Sequence, residues 1–241
     1  MRLVKIAGEA ATVGDAIPKL AQRLLDGVCC PPTDLDALCS RLGIVEVRAE
    51  DIPFSGELRP VLSGFVVIYG KNLSKERRRF TIAHETAHAL LETGGPRCPK
   101  RGEELERICD MWATEILMPT QIFSLHYRKD FSTDHLLDLA RMFEVSLSAA
   151  ALRCKELFGI SVFEVADKEV KWGFGVVSKG PIRQIYNDDI RTAIGSALEG
   201  QSGERLLFLH KGGVPQRHFI SYQPLLRRER RALLLIKKAV V

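Results

Sequence analysis

The sequence predicts an α+β protein with a mainly helical first part, carrying a small sheet, and a strand-rich second part. Three observations lead there. Apolar residues recur at helical spacing through much of the first 158 residues, short apolar strand-like runs dominate from about residue 160, and glycines and prolines punctuate the segments between them. The chain has 241 residues, 46% of them hydrophobic, enough to fill the core of one large domain or of two. We expect two: residues 1–158, including a helix-turn-helix-like segment at 132–158, and a small α+β domain at 159–241.

Each element has a local reason. Ile17, Leu20, Ala21, Leu24 and Leu25 recur at helical spacing between Asp15 and Gly27, which describes an amphipathic helix and not a signal peptide. In "CCPPTDLDALCSRLGI" a rigid Pro-Pro entry precedes a cap at Thr33 or Asp34, a helix through Leu42 and a stop at Gly43. "VEVRAED" alternates as a short strand, and "SGFVVIYG" is an apolar, β-branched strand between Gly64 and Gly70. The second run is either a sheet edge open to an added peptide strand or an ordinary buried strand. Ser74 can cap the next helix and Glu76 suits its positive first turn; Gly94 and Gly95 end it after about Glu92. A further helix runs from about Glu103 to Met118, where Pro119 terminates it.

"LLDLARMFEVSLSAAAL" has the outline of a DNA-binding helix-turn-helix, turning at Val145 and Ser146. Its second helix leaves chiefly Ser148, Arg153 and Lys155 to reach bases or phosphates, so packing against the preceding helices is the stronger expectation and direct DNA binding the weaker. After residue 160, "SVFEVA", "VKWGFGVV", "RLLFLH", "RHFISY" and "ALLLIKK" read as strands, with one helix near "DDIRTAIGSALEG".

Composition narrows the setting. No apolar run approaches the 18 or more residues of a membrane span, so we expect a soluble, cytoplasmic protein. Cys29, Cys30, Cys39, Cys98, Cys109 and Cys154 show no CxxC pairing, which suits a reducing compartment and mostly buried thiols. The net charge of +5 is mild; Arg77, Arg78 and Arg79, and the tail stretch "RRERR", read as solvated faces.

The chemistry concentrates in "RRRFTIAHETAHALLETGG", residues 77–95. At 3.6 residues per turn, positions 84 and 88 lie about 40° apart, so His84 and His88 can aim at one ion while Glu85, about 100° around, is placed to reach water beside it. Catalytic zinc takes three protein ligands, and "ERICDMWATEILMP" offers a third in Glu106. Asp110, one turn later on the same face, can accept a hydrogen bond from the far nitrogen of a ligand histidine. Taken without the upstream motif, Glu103, Glu104, Glu106 and Asp110 would read as the solvated side of an amphipathic helix.

These two stretches together resemble the ImmA/IrrE family of metallopeptidases, with patterns of roughly RFTxAHExxHxLL and ExxAD/NxFAxxLLMP. The resemblance covers about residues 15–155 and implies a zincin-like catalytic domain. It implies Zn2+ held by His84, His88 and Glu106, Glu85 as catalytic base, and Asp110 in the supporting position. Three residues depart from the pattern: Cys109 stands where alanine is common, Trp112 where phenylalanine is, and Thr86 where leucine is frequent. The implied reaction is hydrolysis of a protein substrate, a DNA-binding helix-turn-helix repressor, in a stress or mobile-element response. A donor for the tetrahedral oxyanion is also needed, and His126, Tyr127 and His135 are the nearest residues downstream; each is equally an ordinary core or surface residue. The competing function is a zinc-binding anti-repressor that does not hydrolyse, or a DNA-binding regulator; the intact Glu85 speaks against the first. The role of residues 159–241 is open at this level.

Overall fold

The computed structural model describes residues 13–26, 31–92, 102–211, 214–226 and 230–239. Eight α-helices and two sheets are formed among them, an α+β architecture as expected. The chain divides into two compact units, Met1–His126 with Arg141–Ser146, and Tyr127–Ala140 with Leu147–Val241.

The first unit contains helices α1 (Val13–Leu25) and α2 (Leu35–Arg41), strands β1 (Ile44–Glu50), β2 (Gly56–Val61) and β3 (Gly64–Gly70), and helices α3 (Lys75–Glu92), α4 (Glu103–Leu117) and α5 (Thr120–Ser124). Asp34 caps α2, its carboxylate accepting the backbone N–H groups of Asp36 and Ala37 at 3.0 Å each. Ile17, Leu20, Ala21 and Leu25 turn the apolar face of α1 inward, as their spacing requires. The expected glycine stop of α3, and Cys29, Cys30 and Cys98, lie outside the described residues. Cys39, Cys109 and Cys154 are buried free thiols.

The three-stranded sheet has the order β1-β3-β2, β3 running parallel to β1 and antiparallel to β2. Its central strand is therefore "GFVVIYG", with Val66, Val67 and Ile68 buried, and of the two readings left open for that run the buried strand is the right one. The edge on the side of α3 is β2, "GELRPV", which polarity hid: it is half-exposed to exposed throughout and carries Pro60, tolerated because an edge strand can lack one ladder donor. Cys39, Ile44, Val67 and Ala89 form a core between the sheet, α2 and α3, which seats α3 on the strands.

The second unit begins with α6 (Thr133–Met142), whose last two residues belong to the first unit, and continues through α7 (Leu147–Phe158), β4 (Ser161–Ala166), β5 (Glu169–Phe174), β6 (Gly180–Pro181), α8 (Asp188–Leu198), β7 (Gly203–Lys211), β8 (Val214–Leu226) and β9 (Arg230–Lys238). Its antiparallel sheet has the order β6-β5-β4-β9-β8-β7. Asn187 caps α8 through the Ile190 N–H, and Ile190, Ala193, Ile194 and Ala197 pack on Phe163, Val165, Leu234 and Ile236.

The units divide elsewhere than after residue 158. Helix α7 buries Ala150, Ala151 and Cys154 and packs along β4 and β5. Phe158 meets Tyr127 with ring centroids 4.8 Å apart, Lys237 donates to the Phe131 carbonyl at 3.0 Å, and Thr133 bonds Ser221. These contacts attach residues 127–140 and 147–158 to the sheet that follows them in sequence. Arg153, one of three side chains available for phosphates, is 7% exposed and ion-pairs with Glu156, so the helix-turn-helix outline lacks much of its polar face. No helix among the described residues is long and apolar enough to cross a membrane.

Candidate metal centre

His84 and His88 stand one turn apart on α3 with ring centroids 5.1 Å apart, as the i, i+4 spacing dictates. Glu106 comes to them on α4. Its Oε2 lies 3.2 Å from His84 Nε2 and its Oε1 3.7 Å from His88 Nε2. Two imidazole nitrogens and one carboxylate thus converge. Tetrahedral zinc with bonds near 2.0–2.1 Å requires donors about 3.3–3.5 Å apart, and the observed separations bracket that value, so the donor set fits such an ion.

The far nitrogens are also engaged. His84 Nδ1 is 2.9 Å from Asp110 Oδ1, and His88 Nδ1 is 3.8 Å from Cys109 Sγ. Partners there orient both rings so that Nε2 points towards Glu106. Cys109 was missed as a site residue, although its position beside Asp110 and its departure from the family pattern were both readable. His84, His88 and Cys109 are close enough to form an alternative donor set. Geometry favours Glu106: its carboxylate addresses the Nε2 atom of both rings, whereas the contact Cys109 makes is with His88 Nδ1. Burial, followed by the charges of Glu106, Glu85 and Asp110, pushes the Cys109 thiol up to about 12 in the metal-free protein, which keeps it protonated at neutral pH.

Glu85 is 5% exposed and accepts the backbone N–H of Leu58 from β2. Burial first, then the charges of Glu106 and Glu57, push its carboxyl up to about 7. Gly56 allows this approach of β2 to α3: a Cβ there would fall 2.3 Å from Thr81 Cγ2 and 3.4 Å from Glu85 Oε1. These residues line an open cavity of about 680 Å³, which His84, His88, Glu106 and Asp110 share.

The raised carboxyl makes a stability prediction for the chelator-treated protein. An acid that binds its proton more tightly when folded costs nothing at pH below its unfolded value of 4.5, and the penalty grows as pH rises until it is complete above about 7. Relative to Glu85→Gln, wild type should therefore lose on the order of 3 kcal/mol between pH 4 and pH 8.5, at ~1.4 kcal/mol per pKa unit. Urea titrations of both proteins at both pH values measure it; parallel curves would contradict it.

Residues 39–155, which hold all of these groups, match the family described as Peptidase_M78, IrrE N-terminal-like domain. The segment is similar to an IrrE N-terminal-like domain. Its family suggests a metallopeptidase, and its clustered histidines suggest a metal. No curated protein is significantly similar to the chain. Among solved structures, a Mycobacterium tuberculosis transcriptional regulator is similar with a TM-score of 0.50 and 16% identity, over 92% of this chain and 75% of that one. At that identity the likeness is one of fold.

Two departures of this segment from the family pattern meet each other. The Trp112 indole N–H on α4 donates to the Thr86 hydroxyl on α3 at 2.9 Å, and that hydroxyl donates to the Ala83 carbonyl at 2.6 Å, all buried. The pair joins the two helices that carry the donors. Trp112→Phe alone should cost about 1–3 kcal/mol, because it removes a buried bond and volume, whereas Thr86→Leu with Trp112→Phe should recover most of it. Thermal unfolding of the two single variants and the double variant tests this; strictly additive losses would refute the coupling.

The residues considered for the oxyanion are engaged in other ways. The His126 ring sits edge-on to Phe143 at 5.8 Å, Tyr127 packs on Phe158, and His135 Nδ1 accepts from Ser132 at 3.2 Å. None of the three is among the described residues lining the cavity.

Proposed function

We propose that the chain is a zinc-dependent endopeptidase that cleaves a protein substrate, a DNA-binding transcriptional repressor, in a stress or mobile-element response. The observation that carries the reading is the convergence of His84 Nε2, His88 Nε2 and the Glu106 carboxylate beside the buried carboxyl of Glu85. His84, His88 and Glu106 would hold the ion, with Asp110 and Cys109 orienting the rings. Zinc bound there supplies Lewis acidity, polarising the scissile carbonyl and acidifying water.

The chain's own residues do the rest. Glu85 accepts the proton of the attacking water and returns it to the leaving amine, and its burial against β2 favours the protonated form that makes the second transfer. The Leu58 N–H fixes the carboxylate in place. Strand β2 has β3 on one side, and its other edge borders the cavity, so an extended peptide can add there and bring a peptide bond past Glu85. The repressor as substrate comes from the resemblance of residues 77–119 to the ImmA/IrrE pattern, and a cytoplasmic location from cysteines that lack the spacing of a disulfide framework.

The intact Glu85 and its placement favour hydrolysis over a binding-only anti-repressor. Incubating the zinc-loaded protein with purified small helix-turn-helix repressors and reading fragments by mass spectrometry tests the proposal. Repressor captured intact by wild type, and equally by Glu85→Gln, would favour the anti-repressor.

A further inference from the structure

We infer that Arg77 selects substrates with an acidic side chain two or three residues from the scissile bond; the inference rests on the peptidase reading and names its substrate class. Arg77 is the one Lys or Arg among the described residues lining the cavity, whose other charged side chains are the carboxylates of Glu57, Glu85, Glu106 and Asp110. Arg78 lies over the Tyr69 ring and does not line the cavity, and the other nearby cations have acidic partners: Arg59 pairs with Glu57, Lys71 with Asp51, and both Lys75 and Arg79 with Glu144. Arg77 has none among the described residues. Its guanidinium donates to Ser55 Oγ at 3.0 Å and lies 5.6 Å from the centre of the Phe80 ring. A neutral hydroxyl and an aromatic face orient the group without neutralising it, which leaves further donors of its planar fork for a carboxylate.

Two independent measures place that carboxylate. Arg77 and His84 are seven residues apart on α3, hence within about 20° on one face and roughly 10 Å apart along the axis. On the other wall, Ser55, which Arg77 contacts, precedes by three residues Leu58, which contacts Glu85. A peptide extended along β2 advances about 3.3 Å per residue, so it also covers that span in about three residues. Both measures put the acidic side chain two or three positions from the bond beside Glu85, on the side towards the start of α3.

The test uses the full chain loaded with zinc and a random decapeptide pool, acetylated and amidated so that no terminal carboxylate competes. In the Glu85→Gln background, bound peptides should be enriched in Asp and Glu over Lys and Arg at one position by about tenfold, as expected for one charge-assisted contact. Adding Arg77→Gln should abolish the enrichment, and adding Arg77→Glu should invert it. Equal enrichment in all three proteins, or no enrichment of acidic residues, would overturn the inference. Cleavage of the same pool by protein that retains Glu85 separates the two readings. Acid-selective binding without cleavage sinks the peptidase and spares Arg77, whereas cleavage without acidic selection does the reverse.

Discussion

Glu85→Gln should keep about one zinc per chain and lower repressor cleavage by roughly 100-fold to 10,000-fold, the range for losing a positioned acid–base group. The amide has the shape of the carboxyl and can still meet the Leu58 N–H, but it cannot take a proton from water. It also leaves untouched the proposed donors, the Nε2 atoms of His84 and His88 and the Glu106 carboxylate. Elemental analysis beside a timed cleavage assay measures both quantities. Cleavage at the wild-type rate with full zinc would end the proposed role of Glu85. Loss of zinc together with activity would mean that its carboxylate holds the ion.

Glu106→Ala should have the larger effect on the metal, weakening zinc by more than ~100-fold, beyond the 10–100-fold typical of a residue that only supports a ligand. Cys109→Ala, by the same standard, should weaken it by about tenfold, because the thiol meets the far nitrogen of His88 and the carboxylate meets the near nitrogens of both rings. Competition titrations with a chromophoric chelator rank the two variants. Cobalt substitution adds a second readout: a thiolate charge-transfer band would appear only if Cys109 binds the ion directly. Such a band, with Glu106→Ala retaining full affinity, would replace the carboxylate by the thiol in the donor set.

Much of the fold was readable because its signals are local. The apolar stripe of α1, the Asp34 cap of α2, the Pro119 end of α4 and the runs that become β4, β5, β7, β8 and β9 each depend on neighbours a few residues away. Strand β2 was not readable. "GELRPV" lacks alternation and contains proline, and what makes it a strand is the ladder that β3 offers from across a tight turn. The attachment of α7 to β4 was hidden for a related reason: an apolar helix face announces that it will be buried, without announcing against what.

The candidate centre divides along the same line. By itself the sequence determined that His84 and His88 share a face with Glu85 beside them, and that Glu106 and Asp110 share another, because the helical period converts spacing into direction. Tertiary structure decided that the two faces meet, that Cys109 reaches His88, that Thr86 and Trp112 bond across the helices, and that Glu85 is buried against β2. Those facts depend on contacts between elements 20 or more residues apart, where packing and burial set distance and protonation and residue spacing carries no information.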